Sequence, residues 1–226
     1  MEQNERTIRL IGTDAFEKLQ NSKVVVVGLG GVGGHCAEAL ARAGVGRLHI
    51  VDNDTVNATD LNRQIVATKR TLGRKKTDAM KERLENVSDC IVTTAETFVL
   101  PETVGQAVPK DADFIVDAID TLSGKLALVR FALENGIPVV CAMGAGNRLD
   151  PSRFSVRDVY ETSGDALARK MRQALRKMGV KALPVVVSDE PSHVERGQAQ
   201  IGSLAPVTAG AGLCLAGYVL NRLMES

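Results

Sequence analysis

Blocks of apolar residues alternate with amphipathic stretches along this chain. The run "KVVVVGL" (23–29) has no polar alternation, which predicts a strand buried on both faces, and "GVGGHCAEALARAGV" has the periodicity of a helix ending near Gly44. The pattern then repeats. "GRLHIVDND" reads as a strand closing on acids, "KKTDAMKERLENV" as a helix, "CIVTTAETFV" as strand-like and "DFIVDAID" as a continuous apolar strand. "GKLALVRFALENG" reads as a helix and "IPVVCAMGAG" as a strand. Buried strands joined through helices predict an α/β fold: a Rossmann-like, mostly parallel sheet with helices on both faces. Beyond residue 150 come the strand "RFSVRDV", the helix "GDALARKMRQALRKMG", the strand "LPVVVSDE", a polar loop from Pro191 to Gly202 and a closing apolar helix. The expected organisation is one domain over 1–226, with a nucleotide-binding part at 20–147. Residues 148–226 extend the same sheet with further strands and add the C-terminal helix.

Composition narrows the class. A chain of 226 residues, 44% hydrophobic and 24% charged, carries enough apolar mass for one large α/β domain. A net charge of +1 gives no global attraction for nucleic acid, so a polyanion would have to meet a local basic patch. The opening "MEQNERTIRL" is too polar for a signal peptide, which points to a cytoplasmic protein. Cys36, Cys90, Cys141 and Cys214 are scattered without a CxxC pair and read as reduced thiols, with no zinc site. The uncharged segment "LAPVTAGAGLCLAGYVL" (204–220) is at the short limit for a membrane span. Its small residues equally suit a helix pressed onto the sheet or a partner helix; that reading is preferred, and no stable membrane insertion is expected.

Gly28, Gly30 and Gly33 fit GxGxxG between a strand and a helix, with Gly31 in the same turn. Two of the glycines let backbone amides approach phosphates at a helix N-terminus, and the third lets the helix pack closely. Asp52 closes the next strand, where a carboxylate accepts hydrogen bonds from ribose hydroxyls. Both NAD and ATP have such a ribose. Arg63 in "TDLNRQ" and Lys76 in "LGRKKTDAM" lie beyond it, and two cations there suit a triphosphate better than a dinucleotide. Each cation taken alone is an ordinary solvated side chain. Taken with Asp120 at the end of "DFIVDAID", the set reads as Mg-ATP handling, with Asp120 the candidate Mg²⁺ ligand.

The motifs "RTIRLIG", "VVVVGLGGVGG", "VDNDTV", "LNRQ", "GRKK" and "DAIDT" together resemble the ubiquitin-activating-type (ThiF/MoeB/HesA-like) adenylyltransferases, which activate carboxylates as acyl-adenylates. Within that family, "GAGNRLDPSRFSVRDV", "DALARKMRQALRK" and "VVVSDEP" are most similar to the branch that dehydrates threonylcarbamoyladenosine in tRNA. The resemblance implies ATP and Mg²⁺ as cofactors, a modified tRNA as substrate and a homodimer, and it leaves room for a cysteine desulfurase or sulfur-acceptor partner. It assigns Asp52 to the ribose, Arg63 and Lys76 to the phosphates, and Asp120 to magnesium and the α-phosphate. It also makes Arg6 a catalytic arginine contributed across the dimer interface. The chain departs from the family at Asp60, where asparagine is usual. A carboxylate at that position repels phosphate unless a proton or a cation neutralises it.

A carboxylate attacking an α-phosphate approaches a polyanion, so cations, helix-start amides and Mg²⁺ must carry the catalysis electrostatically. In the dehydratase reading the activated carboxylate is then attacked by the substrate's own ureido group, which needs no enzyme cysteine. Three alternatives stay open: activation of the C-terminal glycine of a ubiquitin-like sulfur carrier, a redox Rossmann enzyme, and a nucleotide-dependent scaffold. Carrier activation would bring Cys141, beside "GAG", forward as the thiol of interest. The helix at 165–181 adds an apolar stripe (Leu167, Met171, Leu175, Met178) backed by Arg169, Lys170, Arg172, Arg176, Lys177 and Lys181, either a solvated basic face or a tRNA contact.

Overall fold

The computed structural model describes residues 2–193 and 201–225. Most of the expected polar loop, 194–200, therefore lies outside the described residues. Two helices open the chain, α1 (Glu5–Ile11) and α2 (Thr13–Asn21), ahead of strand β1 (Lys23–Val27). Then follow α3 (Gly33–Ala43), β2 (Arg47–Val51), α4 (Lys76–Glu85), β3 (Ile91–Ala95), α5 (Val104–Ala107) and β4 (Phe114–Asp117). The last part holds α6 (Leu122–Asn135), β5 (Val139–Ala142), β6 (Phe154–Asp158), α7 (Ala166–Lys177), β7 (Pro184–Ser188) and α8 (Ala205–Glu225). The pattern of the chain does not announce α1 and α2, because α1 buries no side chain and α2 only Phe16 and Leu19.

All seven strands form one sheet in the order β3-β2-β1-β4-β5-β7-β6. Every pairing is parallel except β6 with β7, so the strands beyond residue 148 extend the same sheet, as the sequence suggests. β-Branched runs such as "KVVVV" fit strands covered on both sides. One face is covered by α3, α4 and α8 around Leu40, Met80 and Leu215; the other by α5, α6 and α7 around Leu128, Met171 and Val185. α8 is long and apolar enough to cross a membrane by length and composition. Here it packs into the core through Val207, Ala211, Leu215 and Val219, while Leu213 is exposed.

Register places the site. Val27 lies beside Val51 of β2 and Asp117 of β4, so three adjacent strands end at one level and their following loops converge. In an open α/β sheet that carboxyl-end edge, where the strand order reverses direction, is where ligands bind. A charge is sealed just beneath it. Lys125 of α6 and Asp117 are both fully buried, with Nζ to Oδ2 at 3.0 Å, and the same ammonium donates to the carbonyl of Ala142 at 2.7 Å. The pair thus fastens the end of β4 to the end of β5.

Candidate active site

At the end of β1 the chain turns through Gly28 with φ +91°, a conformation that side chains other than glycine's rarely adopt. A Cβ at Gly28 would also sit 2.9 Å from the backbone carbonyl of Ala118, and one at Gly33 would sit 1.8 Å from the Gly28 oxygen. These glycines let α3 begin directly on the turn. Gly30 has open space on its side-chain side, so the backbone there is bare towards the cavity that it lines.

That cavity measures about 1250 Å³. Gly28, Gly30, Gly31, Asp52, Arg63, Lys76 and Asp120 all lie on its wall. Asp52 accepts hydrogen bonds from the Leu29 amide at 2.6 Å on one oxygen and the Asp54 amide at 2.8 Å on the other. A carboxylate has about four acceptor sites, so capacity for ribose hydroxyls remains. Burial pushes the Asp52 carboxyl up from its ordinary value, opposed by those two amides and by the Lys76 charge. The Lys76 side chain is buried, with Nζ 3.0 Å from Oδ2 of the exposed Asp54. Asp120 lies exposed three residues past the end of β4.

Arg63 donates to the carbonyl of Thr59 at 2.9 Å and to Oδ1 of Asn62 at 3.0 Å. Its Nη2 is 3.6 Å from the carboxylate of the buried Asp60. Asp60 also accepts from the Asn57 amide at 3.0 Å and from Gln64 Nε2 at 2.7 Å. The carboxylate that stands in place of the family asparagine is therefore held inside a short turn, with the guanidinium of Arg63 beside it as the neutralising cation.

The far end of the cavity is made of loops. Met143–Asn147 after β5, Asp165–Leu167 at the start of α7, and Ile201–Ser203 before α8 form its wall. Asn147 adopts φ 59°, its amide donates to the Gly202 carbonyl at 2.8 Å, and its side-chain oxygen accepts from the Gly202 amide at 2.7 Å. Asp165 caps α7 by accepting from Ala168 at 2.7 Å, and its other oxygen takes the Gly144 amide at 3.2 Å and the buried Arg148 at 3.3 Å. Asn62 donates to the Ser203 carbonyl at 3.1 Å, which links the two ends of the cavity.

Gly33 and Arg6, expected at the helix contact and across the dimer interface, do not line this chain's own cavity. Gly33 is off the cavity wall, and its place is the contact between helix and turn. Arg6 is exposed on α1, also outside the wall of this chain's own cavity. Cys141 is fully buried and off the wall, and burial raises its thiol well above the ordinary value. Among the described residues no cluster of three or more His, Cys, Asp or Glu could hold a metal ion. Sequence reasoning missed Asp54 and the far-end loops; the acid-rich "VDNDTV" was the signal for the first, and the loops carry none.

Known proteins share this fold. The profile of the ThiF family matches residues 3–225. The chain is 39% identical to the tRNA threonylcarbamoyladenosine dehydratase of Bacillus subtilis over 95% of its own length and 92% of the relative's. Among solved structures it is similar to the Escherichia coli tRNA N6-threonylcarbamoyladenosine dehydratase in complex with ATP. The TM-score is 0.93 at 35% identity, covering 99% of this chain and 94% of that one. The same enzyme in complex with AMP gives a TM-score of 0.93 at 34% identity, with the same coverage.

Proposed function

The chain belongs to the ThiF family, and from that premise we propose that it is an ATP-dependent tRNA threonylcarbamoyladenosine dehydratase. The observation that carries the reading is one continuous cavity with two unlike ends. Its volume of about 1250 Å³ exceeds the roughly 300–1000 Å³ usual for a single small ligand. The near end matches an adenosine triphosphate: Asp52 for the ribose, the bare turn at Gly28–Gly31 and the cations Arg63 and Lys76 for the phosphates. The far end supplies amides and shape for a second substrate.

The threonyl carboxylate attacks the α-phosphate of ATP, and pyrophosphate leaves. Arg63, Lys76 and the bare turn at Gly28–Gly31 meet the charge that builds up on the phosphates, in a pocket where such interactions are strong. The ureido group of the same substrate then attacks the acyl carbon, a ring closes and AMP departs; the net change in the nucleoside is loss of one water. The nucleophile is tethered, so proximity supplies what a covalent enzyme intermediate would otherwise provide. Asp120, an exposed carboxylate on the cavity wall, would hold a Mg²⁺ that arrives with the nucleotide, since such an ion needs only one or two carboxylates beside the substrate phosphates. The exposed position of Arg6 and the exposed Leu213 on α8 suit a homodimer in which Arg6 serves the partner's cavity.

Labelled-pyrophosphate exchange, run separately with threonylcarbamoylated tRNA and with a mixture of ubiquitin-like carrier proteins, tests the reading. Exchange with the tRNA, accompanied by loss of one water in the nucleoside mass, supports it. Exchange with the carrier proteins alone would replace it by carrier activation.

A further inference from the structure

The partly exposed cations of α4 are answered by acids. Lys81 lies 3.8 Å from Glu85, Arg83 meets Glu38, and Arg74 just ahead of the helix lies 2.6 Å from Glu82. α7 is built differently. Arg169, Lys170, Lys177 and, just past the helix, Lys181 are exposed, with no ion-pair partner among the described residues. The one acid in this stretch, Asp165, is buried and committed to Ala168, Gly144 and Arg148. Arg172 and Arg176 belong partly to the fold, since Arg172 donates to Thr162 and Arg176 lies over the Tyr160 ring at 5.4 Å.

Helical spacing puts Ala166, Arg169, Lys170, Gln173, Arg176 and Lys177 on one face. Ala166 is part of the far-end wall of the cavity, so the cation row begins at the cavity itself. From Ala166 to Lys177 the row runs for about 17 Å at a rise of about 1.5 Å per residue. Helix stability explains only part of it. Cations near the C-terminus gain from the helix dipole, as Arg176 and Lys177 do, but Arg169 and Lys170 sit in the N-terminal half and gain nothing from it.

We propose that this face of α7 is the phosphate track of the tRNA: the modified nucleoside occupies the far end of the cavity, and the backbone phosphates of its neighbours lie along the cation row. The inference rests on the dehydratase reading. RNA fits better than other anionic partners. The face carries Ala166 and Gln173 between its cations, with neither the aromatic anchors of a protein interface nor the apolar side of a membrane-lying helix.

The test uses the full chain carrying R169Q, K170Q and K177Q together, with threonylcarbamoylated tRNA titrated at several salt concentrations. Affinity should fall at least about tenfold, and the slope of log affinity on log salt should flatten by about two to three, at roughly 0.7–0.9 for each phosphate no longer neutralised. The KM for tRNA should rise in step, while ATP affinity, measured separately, reports that the site is intact. The charge-conserving R169K, K170R and K177R variant should keep the wild-type slope, and its losing that slope would overturn an electrostatic role. Wild-type affinity and slope in the glutamine variant would return α7 to a solvated face. Loss of cosedimentation with anionic phosphatidylserine vesicles, at an unchanged tRNA slope, would overturn the proposal in favour of a membrane. Failure of the dehydratase reading shows separately, as wild-type enzyme that binds the tRNA with the expected slope yet forms no cyclic nucleoside.

Discussion

The two ends of the cavity are built on opposite plans. The near end is assembled where β1, β2 and β4 stop, from side chains between Gly28 and Asp120, and it faces its ligand with the charges of Asp52, Arg63, Lys76 and Asp120. The far end is assembled from three loops, and its one wall carboxylate, Asp165, is already occupied by a helix amide, a loop amide and Arg148. A triphosphate needs charge to neutralise it, and rigid strand ends hold that charge in place. A substrate that carries its own nucleophile needs only to be positioned. On the proposed function, catalysis therefore falls to the near end and the choice of substrate to the far end.

The joint between the ends should show the largest effect. Lys125 and Asp117 tie the strand leading to Asp120 to the strand leading to Met143, with both charges fully buried. Lys125→Met alone strands a buried carboxylate and should cost about 3–5 kcal/mol of stability. Pairing it with Asp117→Asn should recover most of that loss. Denaturant unfolding of the single and double variants measures both, and equal stabilities would show that the pair does not join the two ends.

Next in size is the charge at the near end. Arg63→Ala or Lys76→Ala should lower turnover by at least about a hundredfold, the range seen when one stabilising donor is removed. For Lys76 the ion-pair partner left behind, Asp54, is 58% exposed, so the loss of stability comes from the buried stem and from Asp52 and should be small beside the loss of turnover. Wild-type turnover in both variants would mean that the near-end cations do not carry the reaction.

Two neighbouring glycines separate fold from function within the near end. Gly28→Ala forces a left-handed backbone on alanine and should destabilise by about 1–3 kcal/mol. Gly30→Ala meets no atom within 4 Å in the protein. It should leave stability unchanged and weaken ATP binding about tenfold, because the methyl group stands where the backbone approaches the phosphates. Calorimetric titration with ATP, beside thermal melts, tells the two apart.

The same contrast governs what could be read in advance. Strand ends are announced by unbroken apolar runs, and Gly28, Asp52 and Asp120 follow them directly, so "VVVVGLG", "HIVDND" and "FIVDAID" point straight at the site, while Arg63 and Lys76 lie in the long connection from β2 to α4. The far end is held by backbone hydrogen bonds between residues distant in sequence, such as Asn147 with Gly202, and by Glu190 accepting from Leu149 at 3.0 Å. Such bonds leave no periodic trace. Lys125 was hidden for another reason: within "GKLALVRFALENG" a lysine reads as the polar side of a helix, and only the packed structure shows it fully buried. The basic stripe on α7 was legible, but the commitments of Arg172 and Arg176 to Thr162 and Tyr160 were not.

The smallest expected effect is the sharpest test of the far end's passive role. If it only positions a substrate that closes on itself, no thiol takes part in the reaction. The thiols are built accordingly: Cys36 and Cys141 are fully buried, and burial raises all four, Cys90 to about 11. A thiol is nucleophilic only as the thiolate, so these groups are held in their unreactive form. Replacing Cys36, Cys90, Cys141 and Cys214 together by alanine should therefore leave turnover within about twofold of wild type at equal folded concentration, since intramolecular attack supplies the nucleophile. Stability will fall somewhat, because buried cysteine packs as a small hydrophobe, and the comparison is made on folded, ATP-binding protein. The readout is cyclic nucleoside by mass, in step with AMP. A cysteine-free protein that folds and binds both ATP and tRNA but forms no ring would show that a thiol takes part in the reaction. Cys214 on α8, only half-buried, would be the first thiol to restore, because it alone among the four is not sealed in the core.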